Sequence, residues 1–202
     1  MSNIVEQFNR HYQKAPTVLS AAPGRLEILG NHTDYNQGVV LSCAVEQRTE
    51  FALAPRPGGI CRLVDFRDGS TKSFDLDDIA EARPRDWSNY VKGMIVELRK
   101  RGIEIGAFDG AILSTVPLSA GMSSSAALEI AAGFAFKEAF GIELSRADWA
   151  RVGQGVENHY MGLHSGLLDQ FSSIFGASDA LILSDFRSVE VLKTVALPPG
   201  FR

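Results

Sequence analysis

Val116-Pro117-Leu118-Ser119-Ala120-Gly121-Met122-Ser123-Ser124-Ser125-Ala126-Ala127 leads straight from a strand into a helix through a turn of small residues. Such a join exposes successive N–H groups at the helix N-terminus, where the first-turn amides and the helix dipole attract phosphate oxygens. Ser123, Ser124 and Ser125 add hydroxyl ligands suited to a phosphate or to Mg²⁺. The segment is not a Walker loop, because no Gly-Lys-Ser/Thr follows, and not a nucleophile elbow, because Gly-x-Ser-x-Gly is absent. The plainer reading is a serine-rich cap on an ordinary helix. The segment alone leaves both open.

The elements around this join are mixed. Ile4, Val5, Phe8 and Tyr12 recur at roughly helical spacing, which predicts an amphipathic helix within Met1 to Lys14. Thr17 to Ala21 and Leu26 to Leu29 read as short strands flanking Ala22-Pro23-Gly24, and Val39 to Ala54 as a long strand rich in β-branched and apolar residues. Ile60 to Phe66 and Ser70 to Phe74 form a hairpin around Arg67-Asp68-Gly69. Helices are predicted from Asp86-Trp87-Ser88 to about Arg101, over Ser123 to Phe140, from the Ser145 cap to Tyr160, and over Gly166 to Phe175. Phe108 to Leu113, Ala180 to Leu183 and Val189 to Val195 read as further strands. This order lacks a regular β-α-β alternation and argues for an α+β fold, a mixed sheet packed against helices. Leu197 to Arg202 read as a turn with no closing element, so the chain is expected to stop within a larger architecture.

Composition narrows the function classes. A chain of 202 residues, 45% apolar and 22% charged, buries a core without disulfides or metals and is not disordered. A net charge of -4 gives no electrostatic footprint for nucleic acid or an anionic membrane. An acidic protein can still bind phosphate, since local N–H groups and a metal ion hold the anion. Cys43 and Cys61 make neither a disulfide framework nor a zinc site. The first residues lack the apolar core of a signal peptide, and no apolar run spans a bilayer. A soluble, cytoplasmic protein is expected.

Two further segments carry chemistry. In Glu157-Asn158-His159-Tyr160-Met161-Gly162-Leu163-His164-Ser165-Gly166-Leu167-Leu168-Asp169-Gln170, one carboxylate ends a helix and another starts the next. An aspartate in a first helical turn is favoured by the dipole and needs no function. Yet Asp169 lies among Leu167, Leu168 and Phe171, where an unpartnered carboxylate is costly, so it wants a cation or a hydroxyl. In Ala22 to Gly38, the residues Asn31, His32, Asp34 and Asn36 crowd donors and acceptors into a short span that suits a polyhydroxylated ligand, although turns are commonly rich in such residues.

Together the three segments, in this order, resemble the galactokinase family of the GHMP kinase superfamily. Gly24-Arg25-Leu26-Glu27-Ile28-Leu29-Gly30-Asn31-His32-Thr33-Asp34-Tyr35-Asn36-Gln37-Gly38 is similar to the family's first signature. Residues 116–127 resemble its phosphate loop, and Gly166-Leu167-Leu168-Asp169-Gln170 its Gly-x-Met-Asp-Gln. The resemblance covers essentially the whole chain from the first helix on. It implies a GHMP kinase N-terminal domain of the ribosomal protein S5 domain 2-like type over residues 1–202, with the galactokinase signature at 22–38 and a C-terminal lobe absent from this chain.

By the same resemblance, the activity is transfer of the γ-phosphate of ATP to a monosaccharide hydroxyl, with Mg²⁺. Asp169 would contact that hydroxyl, with Arg25 supplying positive charge to it and to the emerging alkoxide. Ser125 and Glu157 match Mg²⁺ ligands, and Gly121, Ser123, Ser124 and Ser125 would cradle the phosphates. Trp87 is assigned to the adenine pocket, and Asn31, His32, Asp34 and Gly166 to the sugar. The family usually has Glu where this chain has Asn31, at the sugar's C6 end. Asn still suits a neutral CH₂OH, and it also removes repulsion against a C6 carboxylate. Galactose is therefore the first expectation, with galacturonate or arabinose second, and residues 1–202 alone are expected to be inactive. The rival outside enzymes is a sugar- and ATP-binding sensor derived from a kinase, against which Ser123-Ser124-Ser125-Ala126 and Asp169 stand intact.

Overall fold

Strand alternation organises the molecule. The computed structural model describes residues 3–198 and 200 of the chain. Helix α1 (Asn3–Tyr12) leads into β1 (Val18–Leu29), β2 (Val39–Pro55) and the hairpin β3 (Ile60–Asp65) and β4 (Thr71–Asp75). Then come α2 (Ser88–Arg99), β5 (Phe108–Ser114), α3 (Ser124–Phe140), α4 (Arg146–Gly155), α5 (Leu168–Phe175), β6 (Ala180–Asp185) and β7 (Glu190–Ala196). All seven strands form one sheet, antiparallel except for the β3–β5 pair. The α+β expectation holds.

β2 is the spine because it is long enough to pair with three neighbours. One edge pairs with β1, the other with β5 through Thr49–Pro55 and with β6 through Val39–Ser42. Its side chains alternate between two cores, as the period of a strand requires. Phe51 and Leu53 face α2, α3 and α4, and the rings of Phe51, Phe108 and Phe136 pack at centroid distances of 5.1 to 6.5 Å. Ala52 and Ala54 face the other way, where fully buried Ile4 and Phe8 of α1 cover them. A smaller cluster of Val40, Leu167, Leu168, Phe171 and Phe186 seats α5.

α3 runs through the middle of the helical layer and is buried on nearly all sides from Ala126 to Phe136. Its small residues allow this: the Ser20 hydroxyl of β1 reaches the Ala131 carbonyl at 2.5 Å. The strand–turn–helix join over residues 116–127 therefore lies at one end of a rigid central helix.

Several boundaries differ from the sequence-based expectation. The two short strands flanking Ala22-Pro23-Gly24 are one strand, β1, whose register shifts between Pro23 and Arg25. A bulge accommodates the proline's missing donor while pairing with β2 continues on both sides. α2 starts at Ser88 because the Asp86 carboxylate accepts from the Ser88 amide and hydroxyl. The helix from Ser145 is α-helical only to Gly155, then widens into a π-helical turn over Val156–Tyr160. α5 begins at Leu168, two residues later than expected. The turn expected over Leu197 to Arg202 falls partly on Pro199, Phe201 and Arg202, outside the described residues.

Candidate active site

The site forms where the β1 bulge meets the loop before α3. The Arg25 amide donates to the Met122 carbonyl at 3.2 Å, and its Nη1 donates to the Gly121 carbonyl at 2.6 Å. Ser119, Gly121 and Ser123 all adopt left-handed backbone conformations, with φ of 56°, 72° and 50°. Left-handed residues at alternate positions turn short loops into concavities lined by N–H groups, the form of many anion sites. Ser123 occupies the N-cap position of α3 but makes no capping hydrogen bond. The loop, Arg25 and Asp169 line an open cavity of about 340 Å³.

Ser123 is turned instead toward the first turn of α5. Its hydroxyl donates to Asp169 Oδ2 at 2.5 Å, while Arg25 donates to Asp169 Oδ1 from Nε at 2.8 Å and from Nη2 at 2.5 Å. The carboxylate expected from the sequence to want a cation or a hydroxyl has both. A carboxylate offers about four acceptor positions. Three are filled here, so one remains on Oδ2 for a further donor.

Ser125, one residue into α3, donates to Glu157 Oε1 at 3.1 Å. Glu157 belongs to the π-helical turn, a form that recurs at functional sites because the extra residue redirects side chains. Burial pushes the Glu157 carboxyl above its ordinary value, and the Asp169 charge adds to this, while bonds from Ser165 and Ser125 oppose it. A hydroxyl and a carboxylate side by side are hard oxygen donors, the set that suits Mg²⁺ with few protein ligands. Among the described residues no group of three or more His, Cys, Asp or Glu forms a metal cluster.

The loop between β1 and β2 supplies the third group. Asp34 opens a short 3₁₀ turn (Asp34–Asn36), and its Oδ2 accepts the Leu168 amide at 3.1 Å, at the start of α5. Gly166 is required for this approach, since a Cβ there would fall 1.7 Å from the Asp34 carboxylate. Asp34 and Gly166 are thus brought against the segment that carries Asp169. Asn31 and His32 stand exposed on the same loop, with His32 in a left-handed conformation and its ring 5.7 Å from that of Tyr35.

Trp87 lies beyond the serine turn, half-buried, with its indole N–H donating to Ser70 at 3.0 Å. It lines a second cavity with Tyr90, Leu128, Ser124 and Ser125. Tyr90, Ser124 and Ser125 also line the first cavity, so the two spaces adjoin. Tyr90 was not singled out from sequence; a helix residue between buried neighbours carries no local mark of a cavity wall. Gln170 and Glu129 were likewise passed over. An acidic residue inside the apolar run Ala126 to Phe136 was the signal available for Glu129.

Residues 6–55 match the galactokinase galactose-binding signature, and residues 89–177 match the GHMP kinases N terminal domain. A galactokinase of Roseiflexus sp. (strain RS-1) is 37% identical over 195 residues, 96% of this chain and 49% of that protein. A galactokinase of Chloroflexus aggregans is 35% identical over 202 residues, all of this chain and 52% of that protein. The chain spans about half the length of the curated relatives it matches. The crystal structure of Lactococcus lactis galactokinase complexed with galactose superposes with a TM-score of 0.87 at 33% identity, covering 96% of this chain and 51% of that one. The Methanococcus jannaschii mevalonate kinase, at 19% identity and a TM-score of 0.71, shares the fold. With a match to the GHMP kinases N terminal domain around the serine turn and to the galactokinase galactose-binding signature ahead of it, the chain resembles the N-terminal half of galactokinases.

Proposed function

We propose that the protein carrying this chain transfers the γ-phosphate of ATP to galactose, giving galactose 1-phosphate and ADP. The observation that carries the reading is Asp169, gripped by Arg25 and Ser123 at the edge of the serine-lined cavity with one acceptor position left on Oδ2. The sugar hydroxyl fills that position. As its oxygen bonds to the γ-phosphorus and the bond to the β-phosphate oxygen breaks, the hydroxyl proton passes to Asp169. Arg25 offsets the negative charge on the carboxylate and on the oxygen under attack. Gly121, Ser123, Ser124 and Ser125 hold the phosphates with backbone amides and hydroxyls, and Trp87 and Tyr90 enclose the base in the adjoining cavity. Ser125 and Glu157 would hold Mg²⁺, which neutralises phosphate charge when bound. Asp34, seated by Gly166, and the exposed Asn31 and His32 bind the sugar.

On this reading residues 1–202 form one GHMP kinase N-terminal domain, with the signature at 22–38 and the phosphate loop at 116–127, and a C-terminal lobe supplies the other wall of the cleft. We read the enzyme as cytoplasmic, where ATP is at hand. Because Asn31 carries no charge to repel a C6 carboxylate, galacturonate is the second substrate to examine, with arabinose beside it. A coupled ADP-release assay with these sugars, on the full-length protein, decides. Galactose is expected to give the highest kcat/KM. A clear preference for galacturonate overturns the choice of sugar, and no ADP release above background with any of them overturns the kinase reading.

A further inference from the structure

α3, α4 and α5 converge beneath the cavity on two polar side chains that the reaction described above does not use. Glu129, one helical turn beyond Ser125 on α3, is fully buried, and so is Gln170, the residue after Asp169. Gln170 Nε2 donates to Glu129 Oε2 at 2.9 Å. Two side-chain oxygens of this pair, Glu129 Oε1 and Gln170 Oε1, have no hydrogen-bond partner among the described residues. α4 closes over them so tightly that a Cβ on Gly153 would lie 2.7 Å from Gln170 Cγ and 3.1 Å from Glu129 Oε2.

The two partnerless atoms are the two that a protonated acid would join. A carboxylic acid and a primary amide pair at two points: the amide N–H donates to one acid oxygen, and the acid O–H donates to the amide oxygen. The first half of that pairing is present. A proton on Glu129 Oε1, donated to Gln170 Oε1, completes it and leaves neither atom orphaned. The electrostatics agree: burial pushes the Glu129 carboxyl well above its ordinary range, the charges on Glu157 and Asp169 push the same way, and only the bond from Gln170 opposes them. As mere filling, the pair is a poor choice, because apolar residues of similar volume pack a buried site without the cost of desolvating polar groups. Its placement suggests another use. Glu129 is fixed to the helix that begins with the serine turn, and Gln170 to the helix that carries Asp169.

We propose that Glu129 and Gln170 form a buried acid–amide strut that sets the spacing between the Ser123–Ser125 turn and Asp169, which makes Glu129 a positioning residue for phosphoryl transfer. The inference rests on the kinase reading above. Phosphoryl transfer depends on alignment of the two reactants, and a misplacement of about 1 Å can cost about a hundredfold in rate.

The test uses the full-length protein with E129Q, E129L and the double variant E129L/Q170L. Glutamine at 129 can keep a two-point pairing with Gln170, so E129Q should retain kcat within about threefold. The double variant replaces both polar groups by apolar ones and should melt at or above the wild-type temperature, yet lose about ten- to a hundredfold in kcat with KM values little changed. E129L, which leaves Gln170 without its acid partner, should lose both stability and kcat. Full kcat in the double variant overturns the strut, and so does an E129Q that is folded but as slow as E129L. Infrared spectra of the same protein at neutral pH separate the two readings: a protonated-carboxyl band present in wild type and lost in E129Q supports the pair independently of activity. No such band overturns it. A wild-type protein that shows the band but phosphorylates no sugar overturns the kinase reading and, with it, the positioning role.

Discussion

Asp169 and Asp109 are both gripped by an arginine through Nε and Nη2, yet one faces a cavity and the other is sealed. Arg62 forks across both oxygens of Asp109, with Nε to Oδ1 at 2.6 Å and Nη2 to Oδ2 at 2.9 Å. Lys14 adds a contact to Oδ2 at 2.7 Å, and Arg56 approaches Oδ1 at 3.7 Å. The Asp109 side chain is 1% exposed and that of Asp169 is 27% exposed. Three cations surround the first carboxylate. Arg25 takes only one oxygen of the second, leaving Oδ2 to Ser123 and to whatever enters the cavity. An ion pair shut away from solvent among three cations can only hold the fold together, tying β3 and the segment after α1 to β5. One with an acceptor position spare can also act on a ligand.

The sharpest way to break this contrast is to neutralise each aspartate in turn. D169N should lower kcat by about a thousandfold, within the range removed with a general base, while the thermal midpoint stays close to wild type. D109N should do the reverse. Leaving three cations around a neutral amide should cost about 3 to 5 kcal/mol of stability by denaturant titration, with kcat kept wherever the protein remains folded. Should D109N abolish turnover in a fully folded protein, the division between a sealed and an open pair is wrong. E157Q probes the open side further. It should raise the magnesium concentration needed for half-maximal rate by about tenfold or more, an effect that titration of the metal at fixed ATP would read.

The smallest effect concerns Asp86, a carboxylate of the sealed kind. Burial pushes it up, but bonds from Ser88 and Lys92 outweigh that and leave it at about 2, below its ordinary 3.8. A depressed value means that the folded state binds the proton less readily than the unfolded chain. Its contribution to stability is therefore present above pH 4 and lost as pH falls through about 2. D86N should flatten that part of an acid-unfolding curve. An unchanged curve would show that the Asp86 contacts at the start of α2 contribute nothing.

How much of this was legible depended on how local each feature is. The serine turn, Asp169 with its want of a cation, and the crowded loop at 31–36 announce themselves through neighbours in the chain. Their chemistry follows from a few adjacent residues. The same holds for α1, where Ile4 and Phe8 at helical spacing became a buried face. Features that depend on where helices cross were legible only through the resemblance, as with Glu157 and Ser125, or not at all. Tyr90 is an ordinary helix residue until α2 is laid beside the serine turn. Glu157 reaches Ser125 only through a π-helical turn that no residue type dictates. The strand break expected at Pro23-Gly24 is a bulge because the partner strand β2 runs past it on both sides.

The sequence by itself determined which side chains could do phosphate chemistry, since hydroxyls, a lone carboxylate and glycine-permitted turns are properties of short segments. The resemblance set Arg25 near Asp169, but only the tertiary structure supplied that contact across 144 positions of chain, and only it decided that Gln170 meets Glu129 inside the helical layer. The physical reason is that ion pairs and hydrogen bonds act over a few ångströms, whatever the separation along the chain, and the sheet and the central helix bring those atoms within that range.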